Sequence, residues 1–341
     1  MTEMSGPDDA RPVAASTGIL PGTDFPEALR GSRGELGAPH LTPFPVLGDR
    51  GYAATSTARS ITVLAELSAD GQPFGWRLRH HESRESKAAA SMLRSDINVL
   101  ADVVGSAGGG HRGHTVVSLT GPVTLAAELK LANGESAISD HGARRDIAAS
   151  LNEGLNDLVA SLRTAVDGED VSIRWCETRL GDAMDGTIPT SSGYRTLRSV
   201  PRAEVRDVLA ELSHTTRSLG VRSVLDTGGA LAAPELGRTF DALASRPVGR
   251  GAKEWEAIAG AVDAGQDVWL GVSPVDERES TVNVIHSFWT TWRDLGLGGA
   301  EAGRIRVEED RDVGGVSPAH ALRVLSRSAE IAEGLWDMAR E

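Results

Sequence analysis

The chain has 341 residues, 40% of them hydrophobic, a formal net charge of −13 and a single cysteine, Cys176. That length and apolar content allow a large core, while one cysteine excludes an intrachain disulfide and a multi-cysteine zinc cluster. The acidic balance argues against non-specific nucleic-acid binding, which needs clustered Lys and Arg, and no apolar run reaches the roughly 18 residues of a membrane span. Residues 1–12 are polar at their start and lack the apolar core of a secretory signal, so they read as a disordered tail on a cytoplasmic protein.

Residues 13–341 read as one domain. Val13 to Leu20 is a first strand candidate, and Thr23 or Asp24 can cap a helix from Phe25 to Arg30. Ala38 to Pro45 is proline-punctuated and extended. Ala53 to Leu67 reads as a helix, Phe74 to Leu78 as a strand and Ser86 to Val104 as a helix. Gly105 to Gly113 is a flexible loop by composition. Thr115 to Leu119 is an apolar run that stops at Thr120-Gly121-Pro122, where Gly and Pro turn the chain. A short helix from Val123 to Leu131 follows. Asp140 then stands at an N-cap position before Ile147, Leu151, Leu155, Leu158 and Leu162, spaced three and four apart on one helical face.

Val171 to Trp175 is the next strand, ending in Cys176-Glu177-Thr178, and Gly181 to Gly193 is a polar loop. Pro201 opens a helix that carries Val205, Val208, Leu209 and Leu212 on one face. Arg222 to Leu225 is a strand ending in Asp226-Thr227-Gly228-Gly229, and Arg238 to Leu243 holds a further short strand. Helix Lys253–Val262, strand Asp267–Val272, helix Thr281–Leu295 and strand Arg304–Val307 alternate after it. Ser317-Pro318 starts the last helix, which runs to about Ala339. Seven or eight strand–helix units in one chain predict a (β/α)8 barrel with parallel strands. An open doubly wound sheet is the alternative, weakened because no G-x-G-x-x-G follows a strand.

In a barrel, chemistry sits on the turns that leave the C-terminal ends of the strands. Glu177 and Asp226 are the catalytic candidates there, and Thr120, Gly121, Cys176, Glu308 and Asp310 the ligand-binding candidates. Glu177 is either a carboxylate at the mouth, able to bind an amine or move a proton, or an ion-pair partner of Arg174 or Arg179. Asp226 either faces a ligand beside Gly228-Gly229 or closes an Asx-turn. Cys176 is a nucleophile or metal ligand if a cation activates it, and otherwise a small buried hydrophobe. The run Glu308 to Asp312 reads as solvated surface, with a Mg²⁺ or Ca²⁺ site as the other reading. The pairs His80-His81 and His111/His114 lack the helical spacing of a metal motif.

Several segments carry a resemblance. They are Gly18 to Asp24, Pro39 to Pro45 with Gly51, Thr120 to Ala126, Asp140 to Gly154, Thr190 to Tyr194, Leu270 to Pro274 and Gly314 to Pro318. In their order and spacing the chain resembles the cobalamin-independent methionine synthase superfamily, especially short single-barrel actinobacterial relatives of its catalytic domain. The resemblance implies a (β/α)8 barrel related to uroporphyrinogen decarboxylase. It implies methyl transfer to homocysteine, whose thiolate a zinc ion holds at the barrel mouth; zinc coordination deprotonates a thiol outright. The ligands that the resemblance implies are not matched. The strand expected to end in His and Cys ends in Leu225-Asp226-Thr227, the late cysteine position falls near Arg311, and the Asp-Glu-Pro motif stands as Cys176-Glu177-Thr178. The reading is therefore a degenerate barrel without metal or cofactor that binds a small molecule, an amino acid or a folate, or a partner. The alternative is a working methyltransferase with a rebuilt zinc site. Neither nucleic acid nor membrane is a partner in this reading.

Overall fold

The computed structural model describes residues 11–106, 113–229, 234–247, 249 and 251–341. The tail before Arg11 and most of the Gly105 to Gly113 loop, with His111, lie outside the described residues. Eight parallel strands form one sheet: β1 (Val13–Ala14), β2 (Thr42–Phe44), β3 (His114–Thr120), β4 (Asp170–Cys176), β5 (Arg222–Asp226), β6 (Ala242–Ser245), β7 (Asp267–Ser273) and β8 (Ile305–Glu309). Each strand from β2 to β8 pairs with the next, and β8 pairs with β1. The β1–β2 seam is closed by backbone bonds from Leu41 N–H to Ala14 O (2.8 Å), Val46 N–H to Gly18 O (2.8 Å) and Leu20 N–H to Val46 O (3.1 Å). The chain is a (β/α)8 barrel, as the alternation of strands and helices predicts.

Among the described residues seven long helices ring the barrel: α1 (Phe25–Glu35), α2 (Arg84–Ser106), α3 (His141–Val166), α4 (Arg202–Ser218), α5 (Ala252–Asp263), α6 (Thr281–Asp294) and α7 (Pro318–Arg340). The caps read from sequence form. Asp24 accepts from Glu27 N–H (2.9 Å), Asp140 from Ala143 N–H (2.8 Å) and Ser317 from His320 N–H (3.3 Å), each satisfying an amide that the first helical turn leaves without a partner. The α3 stripe Ile147, Leu151, Leu155, Leu158 and Leu162 is buried against the sheet. Each such side chain removed from water contributes about 1.5–3 kcal/mol. Between β5 and β6 the described residues hold only a 3-10 turn, Pro234–Gly237, in place of a long helix.

Several expectations change, and one is the polar loop Gly181 to Gly193, whose first part lies in a helix, Leu180–Asp185. Phe74 to Leu78 is not a barrel strand; Gly75–Arg79 pairs with Ser68–Gln72 in a hairpin outside the barrel, where Arg77 and Arg79 hold Asp70 (2.6 and 3.0 Å). The second barrel strand lies instead in the proline-punctuated stretch. Pro43 and Pro45 give no donor, but Leu41 and Val46 supply the donors across that seam. Arg59, fully buried, donates to the carbonyls of Phe44 (3.3 Å), Pro45 and Ser118 (3.5 Å) and fastens the end of β2 to β3. Ala53 to Leu67 is helical only over Ser56–Ile61; the chain then turns, with Glu66 at φ 58°.

Strand alternation fills the barrel in layers. Val13, Ala15, Leu41, Val116, Val224, Ala242, Ala244 and Trp269 form an apolar plug separate from the larger core between sheet and helices. Above the plug stands an ionic layer built on Arg174. Above that, at the C-terminal ends of the strands, the barrel opens into a polar mouth.

Candidate functional site

The mouth is a cavity of about 540 Å³. Eight Ser and Thr residues line it: Thr17, Thr55, Ser56, Thr57, Ser118, Thr120, Thr124 and Thr178. Cys176, Asp226, Glu128, Arg246, Arg311 and Asp312 add its thiol and charged groups, and Ile19 and Gly228 complete the wall. These come from the ends of β1, β3, β4, β5, β6 and β8 and from the turn before helix Ser56–Ile61, so the barrel gathers residues far apart in sequence.

The floor of the mouth is a closed ion cluster. Arg174, Cys176 and Ser172 share the inner face of β4, because side chains two apart point the same way. Arg174 is fully buried and donates through Nε (3.0 Å) and Nη2 (2.8 Å) to Asp226 Oδ2 and through Nη1 to Glu308 Oε1. Trp269 lies beside the guanidinium, 5.8 Å from ring centroid to Cζ. Burial works against every charge here. Asp226 is nonetheless held below its ordinary range, because Arg174 and Arg246 outweigh burial. Glu308 is pushed up by burial, with Arg174 opposing, and Arg174 itself is held well above its usual range by both carboxylates. The other oxygen of Asp226 accepts from Gly228 N–H (2.8 Å), which is the Asx-turn of the second reading of that residue.

Glu177 and the Thr120-Gly121-Pro122 turn, more than fifty positions apart, meet at one corner of the mouth. Glu177 Oε1 accepts from Val123 N–H (3.0 Å) and Oε2 from Thr124 N–H (2.7 Å), so its carboxylate caps the helix Pro122–Glu128 from another strand. A Cβ at Gly121 would stand 2.5 Å from Glu177 Oε1, so any larger residue there would push the carboxylate aside. Glu177 is fully buried and does not line the mouth; its ion-pair partner is neither Arg174 nor Arg179. Burial pushes its carboxyl up to about 7 against the pull of the two amides.

Cys176 does reach the mouth. Burial and the neighbouring Asp226 carboxylate push its thiol up to about 12, despite Arg174 and Arg246, so it is a neutral thiol. Thr120 lines the mouth, and its backbone N–H donates to Ser60 Oγ (2.7 Å). Asp310 is turned away: its Oδ1 accepts from Val275 N–H (3.1 Å), and it borders a separate cleft with Trp255 and Phe288. The run Glu308 to Asp312 is not solvated throughout. Glu308 and Glu309 are buried, and Glu309 Oε1 accepts from Ser16 Oγ (3.0 Å), Thr17 N–H (2.9 Å) and Thr17 Oγ1 (2.5 Å).

These residues do not fit the zinc site that the resemblance implies. The one thiol is protonated, the carboxylates of Asp226 and Glu308 on the floor are held by Arg174, and among the described residues no group of three His, Cys, Asp or Glu is arranged to hold a metal ion. His114 is engaged elsewhere, Nε2 to Ser172 Oγ (2.7 Å) below the plug. The sequence reading missed Arg174 as the centre of the site. Its signal was a charge in the middle of an apolar strand, in phase with Cys176.

Fold and mouth together define the class: a closed (β/α)8 barrel with a polar cavity at the C-terminal ends of its strands. No protein-family model matches the chain, and no curated protein matches it. Among solved structures the chain is similar to a B12-independent methionine synthase from Shewanella sp. W3-18-1 in complex with selenomethionine, at 14% identity and a TM-score of 0.59. The match covers 95% of this chain and 98% of that one. At that identity the likeness is one of fold. A Xaa-Pro dipeptidase with methionine bound in its active site is matched at a TM-score of 0.26 and 13% identity, over 76% of this chain and 72% of that one, which carries no argument.

Proposed function

We propose that this chain is a methionine-synthase-like barrel without zinc–thiolate chemistry, which uses its mouth to bind a small polar ligand of amino-acid type. One observation carries the reading. The guanidinium of Arg174 occupies the floor of the mouth and holds both Asp226 and Glu308, so a fixed protein cation already neutralises the carboxylates that a metal would need. The neutral Cys176 thiol agrees with this, since a metal-bound thiolate requires a depressed pKa. The hydroxyl-lined wall can donate to a ligand carboxylate and accept from an amine, while Arg246 and Arg311 stand beside it. Asp226 and Glu177 are then positioning residues. The first orders the floor, and the second fixes the turn that presents Thr120.

The test is elemental mass spectrometry on untagged protein equilibrated with zinc, for wild type and Cys176→Ser, joined to thermal-shift titration with free amino acids. Far substoichiometric zinc in both proteins is expected, together with ligand stabilisation that Thr120→Val weakens. Near-stoichiometric zinc that Cys176→Ser removes would overturn the reading in favour of a rebuilt methyltransferase site.

A further inference from the structure

Three carboxylates line the mouth at the C-terminal ends of the strands: Glu128, Asp226 and Asp312. Asp226 is held by Arg174 and the Gly228 N–H, and Asp312 Oδ1 accepts from Gly314 N–H (2.6 Å). Glu128 is differently placed. It ends the helix Pro122–Glu128 with its side chain open to the mouth, and it has no ion-pair partner among the described residues.

Thr57, in the helix Ser56–Ile61, donates its hydroxyl to Glu128 Oε2, and Oε1 accepts nothing from the described residues. Arg179 acts on Glu128 only from beyond 4 Å and is itself paired with Asp182 (3.2 Å). Arg59, on the same helix as Thr57, donates instead to the carbonyls of Phe44, Pro45 and Ser118. Glu128 is recessed in a concave wall, so solvent reaches it while much of its hydration is lost. Burial raises its carboxyl above the ordinary value, against Thr57 and Arg179, and Glu128 in turn helps to raise the buried Glu177. This side of the mouth therefore holds a carboxylate that hydroxyls orient and no protein cation answers.

The cations of the wall stand on the other side. Arg246 follows β6 and Arg311 follows β8. Glu128 follows β3, which lies three strands from β6 by way of β4 and β5, and three from β8 by way of β2 and β1. In a closed ring of eight strands that separation is nearly the full width of the mouth. Gly271 in β7 makes room for Arg246, since a Cβ there would come 2.7 Å from Arg246 Cγ. Arg311 is 60% exposed and reaches Asp310 only at 3.8 Å, and Asp312 lines the wall beside it. The α-ammonium and α-carboxylate of an amino acid share one carbon, so both stay on the side of Arg246, Arg311 and Asp312. Only an amine at the far end of a side chain can reach Glu128.

We infer that the mouth takes a diamino acid, with its side-chain ammonium on Glu128 and its α-carboxylate toward Arg246 and Arg311. The inference rests on the amino-acid reading of the same mouth and names which amino acids it takes. Glu128 Oε1 accepts a charge-assisted bond from the ammonium while Thr57 holds Oε2. A cavity of about 540 Å³ has room for such a chain in extended form.

The test is isothermal titration calorimetry of the full chain with lysine and ornithine. Each is set against the amino acid of the same carbon chain without the second amine, norleucine and norvaline, and cadaverine serves as lysine without its carboxylate. Wild type should bind a diamino acid about ten-fold or more tightly than its comparator, and Glu128→Gln should lose that preference. Gln keeps the length of Glu and can still accept from Thr57, and circular dichroism establishes that the variant is folded. Thr57→Val, which removes the bond that orients Glu128, should lower the same preference and stands if Glu128→Gln does not fold. Equal binding of lysine and norleucine by wild type, or a preference kept in the folded variant, overturns this inference and leaves the amino-acid reading of the mouth in place. Binding of no amino acid at all overturns both. Cadaverine binding as tightly as lysine overturns the place given to the carboxylate.

Discussion

Cys176 and Glu177 are adjacent, and the strand pleat sends them to different surroundings. Cys176 faces the mouth, while Glu177 turns behind it into the N-terminus of the helix Pro122–Glu128. Glu177 therefore carries a pH signature. Its carboxyl stands at about 7 in the folded chain against 4.5 as the ordinary value, so the folded state holds a proton that the unfolded state releases between those pH values. The stability this group contributes is fully present below about pH 4.5 and is lost as pH rises through 7. Glu177→Gln cannot titrate. The difference in unfolding free energy between wild type and Glu177→Gln should change by roughly 2 to 3 kcal/mol from pH 4.5 to pH 8, against the wild type at the higher pH. Urea melts of both proteins across that range measure it; parallel curves would mean that the carboxyl is not shifted.

Helix α3 shows how an element constrains what packs on it. Gly154 lies in α3 where the chain after Ser56–Ile61 crosses it, and a Cβ at that position would come 1.6 Å from the Val63 carbonyl oxygen. Ala65 N–H donates to Ser150 O (3.1 Å) and Ser150 Oγ to Ala65 O, so neither side can yield freely. Gly154→Ala should cost about 3 kcal/mol or more by overpacking. Gly34, helical in α1 with nothing within 4 Å of its would-be Cβ, is the control: Gly34→Ala should stabilise by about 0.5–1 kcal/mol. Chemical denaturation of the two variants reads both signs, and equal effects would refute the packing account. Elements of this kind were unevenly legible. The α3 stripe and the caps at Asp24, Asp140 and Ser317 rest on local chemistry and formed as read. Strand β2 was hidden because its prolines break the usual strand pattern, and the hairpin was misread because one apolar flank imitates a barrel strand.

At the scale of the molecule, the barrel is a stack: a charged amino-terminal mouth, an apolar plug, the Arg174 layer and a hydroxyl-lined mouth. The Arg174 layer joins β4, β5 and β8 across the interior, so its loss should be felt globally. Arg174→Leu leaves the buried Glu308 without its cation and Asp226 with only Arg246 beside it, and should destabilise the fold by about 3–5 kcal/mol. Adding Asp226→Asn and Glu308→Gln should recover part of that, because the cost lies in the uncompensated charges rather than in a lost contact. Denaturation of the single and triple variants decides it; no recovery would place the effect in packing.

The sequence by itself determined the class of fold, because apolar runs, capping residues and helical spacing act over a few residues and are written in order along the chain. It also located Thr120, Gly121, Cys176, Glu177, Asp226 and Glu308 at strand ends, where barrel sites lie. Only the tertiary structure decided what each of them does. Whether a carboxylate caps a helix, as Glu177 does, or neutralises an arginine 52 or 134 positions away, as Asp226 and Glu308 do, depends on which strands curl against each other and on the register between them. Burial then sets the charge state of each group, and burial belongs to the closed barrel rather than to any segment of it.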